Sequence, residues 1–287
     1  GDRWVERDDV FIKFLNRSGP LTLGYGSRGR TGCEYEFGYV MGEHHDSPVI
    51  LVKAAWGGHS LYKNFRSPSN PALEEMLQAD LTRRQERTRK NNEKKNRDDP
   101  LPTMDEIRTE YGQSYRNLIS EVKTTQKDFE TLFPALKGKK LEMAGFFWFQ
   151  GWNDQYNGAE AEYQSNMRHF INDVRRDLES PKLPFVIAVM GQNRSEEPKG
   201  AMKVIQHAQQ AMEEMPEFKG NDKAVRTDGL VEKAAESLYP EWKENFEQWE
   251  KTGSDHAYHY LGSAIWFTRI GRECANAMIE LEQTEAE

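Results

Sequence analysis

Cysteine is nearly absent from this chain. Two residues, Cys33 and Cys274, cannot make a disulfide framework, and only the fold could bring them together. Cys274 falls at an apolar position of a predicted terminal helix, where a buried free thiol is expected. No run of about eighteen apolar residues occurs, so no transmembrane helix is expected and no membrane insertion. Basic charge is in deficit: 39 Lys and Arg against 47 Asp and Glu leave a net −8, which argues against nucleic acid as a general partner. No spaced set of metal ligands stands out. His44-His45-Asp46 are contiguous and read as a polar helix end, while His169 and His207 fall on predicted helices and read as structural. The glycine-rich stretch from Gly19 to Gly32 lacks the Gly-Lys-Ser/Thr ending of a phosphate loop. No cofactor is therefore expected. No internal repeat and no signal peptide is visible; a chain opening Gly1-Asp2-Arg3-Trp4 would not display one, which leaves the compartment open.

A chain of 287 residues is long enough for one large α/β domain, and its seven Trp suit a sizeable core. Short apolar runs predict strands at Val10–Phe14, Val49–Lys53, Met143–Phe149, Phe185–Met190 and Ala224–Thr227. Helical spacing predicts helices over 34–42, 71–97, 104–132, 159–178, 200–215, 230–249 and 260–281. Strand alternating with helix predicts a three-layer α/β/α arrangement around a mostly parallel sheet, in a single domain over 1–287. One segment is an outlier: residues 82–97 carry a net +6 and read as a solvated helical insertion, closed by Pro100.

Three stretches carry chemistry. Val49 to Leu61 is an apolar strand that runs into a Gly57-Gly58 turn followed by His59 and Ser60. Trp148-Phe149-Gln150-Gly151-Trp152-Asn153-Asp154 places side-chain amides and a glycine directly after a buried strand, where parallel sheets bind their ligands. Ser254-Asp255-His256-Ala257-Tyr258-His259-Tyr260-Leu261-Gly262 sets an acid and two histidines before the last helix. Together they resemble the SGNH hydrolase superfamily, in particular its carbohydrate-esterase branch of sialate O-acetylesterase and acetylxylan-esterase type. That branch has a Lys-x-Ala-x-Gly-Gly turn, a Trp-x-Gln-Gly segment and an Asp-x-x-His-like segment, in this order. The resemblance runs from about Trp4 to about Met278. It implies an SGNH or flavodoxin-like sheet and serine-type removal of acyl groups from a carbohydrate, and it favours a periplasmic or extracellular setting. The nucleophile Ser of such enzymes closes a first strand ahead of everything seen here, so that strand and its Ser block are expected to be missing. Tyr163-Gln164-Ser165-Asn166-Met167 imitates the block, but its helical spacing sets Ser165 within a helix.

The resemblance then assigns roles. His259 is the preferred base and His256 its rival. Asp255 would orient the imidazole, and since Asp255 and His256 are neighbours in the chain, a hydrogen bond between that pair is not expected. Backbone N–H groups of Gly57 or Gly58 and a side-chain amide from either Gln150 or Asn153 would receive the oxyanion. Arg28, Arg30, Glu34, Arg66 and Trp152 are candidates for contact with the sugar. A non-catalytic carbohydrate-binding domain that has lost its nucleophile is the competing reading.

Overall fold

The computed structural model describes residues 4–26 and 30–286. The chain opens with β1 (Val10–Phe14) and a hairpin partner, β2 (Arg17–Pro20), followed by α1 (Glu34–His44) and β3 (Val49–Lys53). β3 returns parallel to β1, pairing Val10 with Val49 and Phe14 with Lys53. The second half runs β4 (Phe146–Trp148), β5 (Phe185–Val189) and β6 (Asp222–Arg226), all parallel and in that order. β2 was not expected. It is four largely exposed residues, Arg-Ser-Gly-Pro, without apolar alternation, paired in an antiparallel ladder with β1.

Strand β5 shows why the layers form. All five of its residues are buried, and alternate side chains enter different cores. Phe185 and Ile187 face α4 (Gln113–Lys127), α6 (Tyr163–Asp177) and α7 (Gly200–Glu214), whereas Val186 and Ala188 face α1 and α10 (Ala264–Ala286). A strand covered on both sides needs a continuous apolar run. Both cysteines are buried and free in the second of these cores.

The expected mostly parallel sheet is divided. β2-β1-β3 and β4-β5-β6 are separate ladders, and no hydrogen-bonded pairing joins β3 to β4. The two nonetheless lie in one layer. Val49 and Leu51 of β3 join Phe147 of β4 against the α1/α10 core, while Val52 joins Phe146 and Trp148 against the other. β3 is only half-buried along its whole length, unlike β1 and β5, as follows from an edge that no strand covers.

Two predicted helices are broken. Residues 104–132 form α3 (Met104–Glu110), α4 and the short α5 (Phe129–Leu132). Gly112 sits at φ +71° between α3 and α4, a conformation open to glycine, and its N–H donates to Lys63 O at 2.8 Å. Residues 230–249 break into α8 (Lys233–Leu238), a 3-10 turn holding Pro240, and α9 (Phe246–Trp249). The basic segment belongs to α2 (Glu74–Lys95), and its inner part is anchored. Arg83 binds Asp80 and Arg84 binds Glu110, both at 2.5 Å, and Leu77 packs with Ile107 and Tyr111. From Glu86 outward α2 is largely exposed. Replacing residues 86–99 by a short Gly/Ser link should lower the melting temperature by less than about 3 °C. Ile107→Ala, at a side chain with no exposed surface, should cost about 2–5 kcal/mol in denaturant unfolding.

Candidate active site

The loops that leave β3 and β4 meet, which puts the carboxyl ends of both strands on the same side of the layer. A single buried side chain ties them. Asp154, with no exposed surface, accepts from Leu61 N and Tyr62 N at 2.8 Å each and from Gln150 Nε2 at 2.7 Å. Burial pushes the Asp154 carboxyl pKa up, and the three donors oppose that shift by favouring the carboxylate. Nothing local in the sequence distinguished this aspartate from a turn-capping residue.

Gln150 is fastened from all sides. Its amide nitrogen donates to His59 O at 3.1 Å as well as to Asp154, and the Tyr163 hydroxyl stands 3.2 Å from both its side-chain and main-chain oxygens. Gln209 of α7 donates to Gln150 O at 2.7 Å, and Trp148 Nε1 lies 3.3 Å from the same hydroxyl. Both amide hydrogens of Gln150 are thus engaged inside the protein. Of the two candidate amides, Asn153 is the open one. Its side chain has no hydrogen-bond partner among the described residues, and its Nδ2 lies 3.8 Å from where a Cβ on Gly58 would stand. Gly58 takes φ +80°, Gly57 has open space around it, and both are exposed. Their N–H groups find no protein acceptor among the described residues. Gly58 and Asn153 share a cleft of about 350 Å³ with Ser60, Lys63, Arg83 and Tyr156.

His259 reaches this region through Trp152, whose ring it meets edge to face at 5.5 Å. The imidazole is open to solvent on one side, yet the protein around it displaces enough water to lower its pKa below the ordinary histidine value. Its loop is held in strained backbone. Tyr260, Leu261 and Gly262 follow one another at φ 50°, 58° and 61°. Each of the two non-glycine residues costs on the order of 1–3 kcal/mol there. Tyr260 offsets this by packing on Trp266 at 4.8 Å and Phe149 at 5.1 Å, and its hydroxyl accepts from Gly191 N at 3.1 Å.

Asp255 does not touch His259 among the described contacts. Its carboxylate binds Arg30 at 2.6 Å and, against expectation, the neighbouring His256 Nδ1 at 3.2 Å. The loop is exposed there, which leaves both side chains free to turn to the same side, and Arg30 holds the carboxyl below the usual range. Arg30 therefore faces the acid rather than the cleft. Two other residues assigned to sugar contact are internal fasteners. Arg66 is buried, donating to Tyr62 O and Asn70 O and pairing with Glu162 at 3.1 Å. Glu34 accepts from Gly32 N at 2.9 Å and pairs with Lys53, at the end of β3, at 3.1 Å. Arg28 lies outside the described residues. Ser165 is exposed on α6, within a helix. His59 pairs with Ser114 at 2.6 Å, but Ser114 is buried beneath it. Ser60 lines the cleft and caps its own turn, accepting from Lys63 N at 3.1 Å. Lys63, Arg83 and Tyr156 were not foreseen as cleft residues. Only the charge run around Arg83 signalled any of them.

Comparison with known proteins agrees with the motif resemblance. Residues 103–238 match the profile of a family described as "Carbohydrate esterase, sialic acid-specific acetylesterase". The stretch is a little under half of the chain; it includes Gln150 to Asp154 and stops short of His259. At the level of that family, the match supports an esterase acting on carbohydrate. The fold is similar to a protein from Arabidopsis thaliana of known X-ray structure, with a TM-score of 0.57 and 13% identity, covering 96% of this chain and 82% of that one. A likeness that remote in sequence shows the α/β/α fold alone. The curated proteins contain no match.

Asp154→Asn should lower stability by about 1–3 kcal/mol, since an amide nitrogen would face a donor now paired with a carboxylate oxygen. Denaturant unfolding measures the loss, and faster hydrogen exchange at Leu61 and Tyr62 would place it in the loop after β3.

Proposed function

We propose that this chain forms the greater part of a carbohydrate esterase that removes acyl groups, acetyl foremost, from a sugar. In this reading the nucleophile is a Ser at the end of a strand that seats between β3 and β4. The observation that supports it is that Gly58 and Asn153 line one cleft beyond the carboxyl ends of β3 and β4, two strands with no ladder between them, while His259 packs on Trp152, next to Asn153 in the chain.

The chemistry follows from what each group can do. A serine Oγ entering there attacks the ester carbonyl, and His259 Nε2 or Nδ1 accepts its proton. The carbonyl oxygen becomes an oxyanion and receives hydrogen bonds from Gly57 or Gly58 N–H and from Asn153 Nδ2, each worth about 3–4 kcal/mol of barrier. Collapse expels the sugar oxygen, which takes the proton from the imidazolium. Water then repeats the sequence on the acyl-serine. Gln150 acts through others, holding the two loops in place. Lys63, Arg83 and Tyr156 present charge and an aromatic face to the sugar. Asp255 orients His259 only if its carboxylate leaves Arg30. That pairing favours a second reading, in which the cleft binds an acylated sugar without cleaving it.

The depressed pKa of His259 keeps the ring neutral further into the acid range, so the acid limb of kcat/KM should fall below pH 6.5 in a protein with its nucleophile strand in place. The same shift bears on stability. Protons bind the unfolded chain more readily than the folded one, so His259 lowers stability as pH falls below about 6.5 towards its lower folded value.

Variants of such a complete protein separate the two readings. On an acetylated sugar, His259→Ala should lose about a thousandfold or more in kcat, Asn153→Ala about a hundredfold or more, and His256→Ala only a few-fold. Residues 1–287 alone should not turn over. Binding of the acetylated sugar by the complete protein with no hydrolysis would establish the second reading. Equal losses in His256→Ala and His259→Ala would overturn the assignment of the base.

A further inference from the structure

We propose that His44, His45 and Glu282 form a binding site for one Zn²⁺ ion, fastening the end of α1 to the last turns of α10. The site is separate from the cleft. α1 ends there just before β3 begins, at the amino end of the strand, whereas the cleft lies at its carboxyl end. Glu282 stands about 27 Å along α10 from the start of that helix beside the cleft.

The sequence offered two adjacent histidines and no spaced third ligand. The fold supplies one from the other end of the chain. His45 Nε2 lies 3.3 Å and His44 Nε2 3.8 Å from the same oxygen, Glu282 Oε2. The ligand atoms of all three residues lie within 4.8 Å of one another. Around tetrahedral zinc, bonds of about 2.0–2.2 Å put neighbouring ligand atoms roughly 3.3–3.5 Å apart. His45 and Glu282 already have that spacing, and His44 lies a little beyond it from the same oxygen, at 3.8 Å, so the two imidazoles close in on the ion as it binds. The two imidazole rings meet at 72°, and the Nε2 of each lies near the same Glu282 oxygen.

The carboxylate is also short of partners. Among the described residues, Glu282 Oε1 is buried with no hydrogen-bond donor and Oε2 has the two imidazoles nearby. A cation bridging this group and two neutral rings would satisfy it. Two nitrogens and one oxygen select zinc or a similar borderline ion over calcium or magnesium, which take oxygen ligands. A fourth position remains open towards solvent, since all three side chains are partly exposed.

The test uses the full chain stripped of metal with a chelator and titrated with Zn²⁺ at pH 7.5 by calorimetry, followed by thermal unfolding. The expected result is one ion bound with Kd of about 10 µM or tighter. A hundredfold excess over Kd should raise the melting temperature by about 4 °C or more. Co²⁺ in place of Zn²⁺ should give the visible absorption of a tetrahedral site. His45→Ala and Glu282→Gln, each checked for native circular dichroism, should weaken binding at least tenfold, while His207→Ala, at an exposed histidine elsewhere, should bind as the parent does. No binding below about 100 µM, or binding that both variants retain, would overturn the proposal.

Discussion

Asp154 accepts two hydrogen bonds from the loop after β3 and one from a residue that follows β4, and it does so with no contact to water. No ladder joins these strands, so the carboxylate supplies at their carboxyl ends the register that backbone pairing supplies elsewhere in the sheet. A buried, hydrogen-bonded charge is expensive to leave unpaired, and that expense fixes the geometry. If Leu61 or Tyr62 withdrew, the carboxylate would lose a donor it cannot replace from solvent. Gly58 and Asn153 therefore stay next to one another. Gln150, pinned by the same carboxylate and by Tyr163 and Gln209, carries the constraint into α6 and α7.

Much of the fold was legible in the sequence. β1, β3 and β5 lie within a residue of their predicted bounds, because apolar runs flanked by turn residues leave little choice. The break at Gly112 was not legible. A lone glycine within a helical pattern is tolerated, and what demands a turn there is Lys63 O, about fifty residues upstream in the chain. β2 was missed because its exposed residues carry no hydrophobic period. The site shows the same division. The glycine turn, the amides and the histidine before α10 stand out as residue types, but their partners are non-local. Gln150 and Asn153 are equivalent as text and differ only in what surrounds them. Arg66 looks like a surface cation and is a buried clamp on the loop after β3.

The His259 loop and the cleft are built on different physical terms. Behind the cleft, Lys63 and Arg83 pair with Asp80 and Lys63 with Glu110, a compact network of alternating charge half shielded from water that places the inner end of the basic helix α2 against the cleft. The His259 loop instead relies on aromatic packing around Tyr260 to hold three left-handed residues in succession. Gly262 has no room for a side chain, since a Cβ there would collide with Ser254. The position of the imidazole is thus set by the core beneath it, while Asp255, bound to Arg30 at the surface, is free of that core.

The split in the sheet also bears on how this polypeptide behaves in concentrated solution. The outer borders of the two ladders carry features that discourage contact with other chains: Arg17 and Pro20 on β2, Lys223 and Arg226 on β6. The inner borders carry almost none. β3 reads Val-Ile-Leu-Val before its closing Lys53, and β4 reads Phe-Phe-Trp. Each molecule therefore holds two apolar strands, β3 and β4, with an edge that no ladder covers. Edges of this kind are templates for addition of a strand from a neighbouring molecule. Edges left free in this way govern association in a manner that the apolar cores do not, because a strand from any neighbouring chain can extend them by main-chain hydrogen bonds.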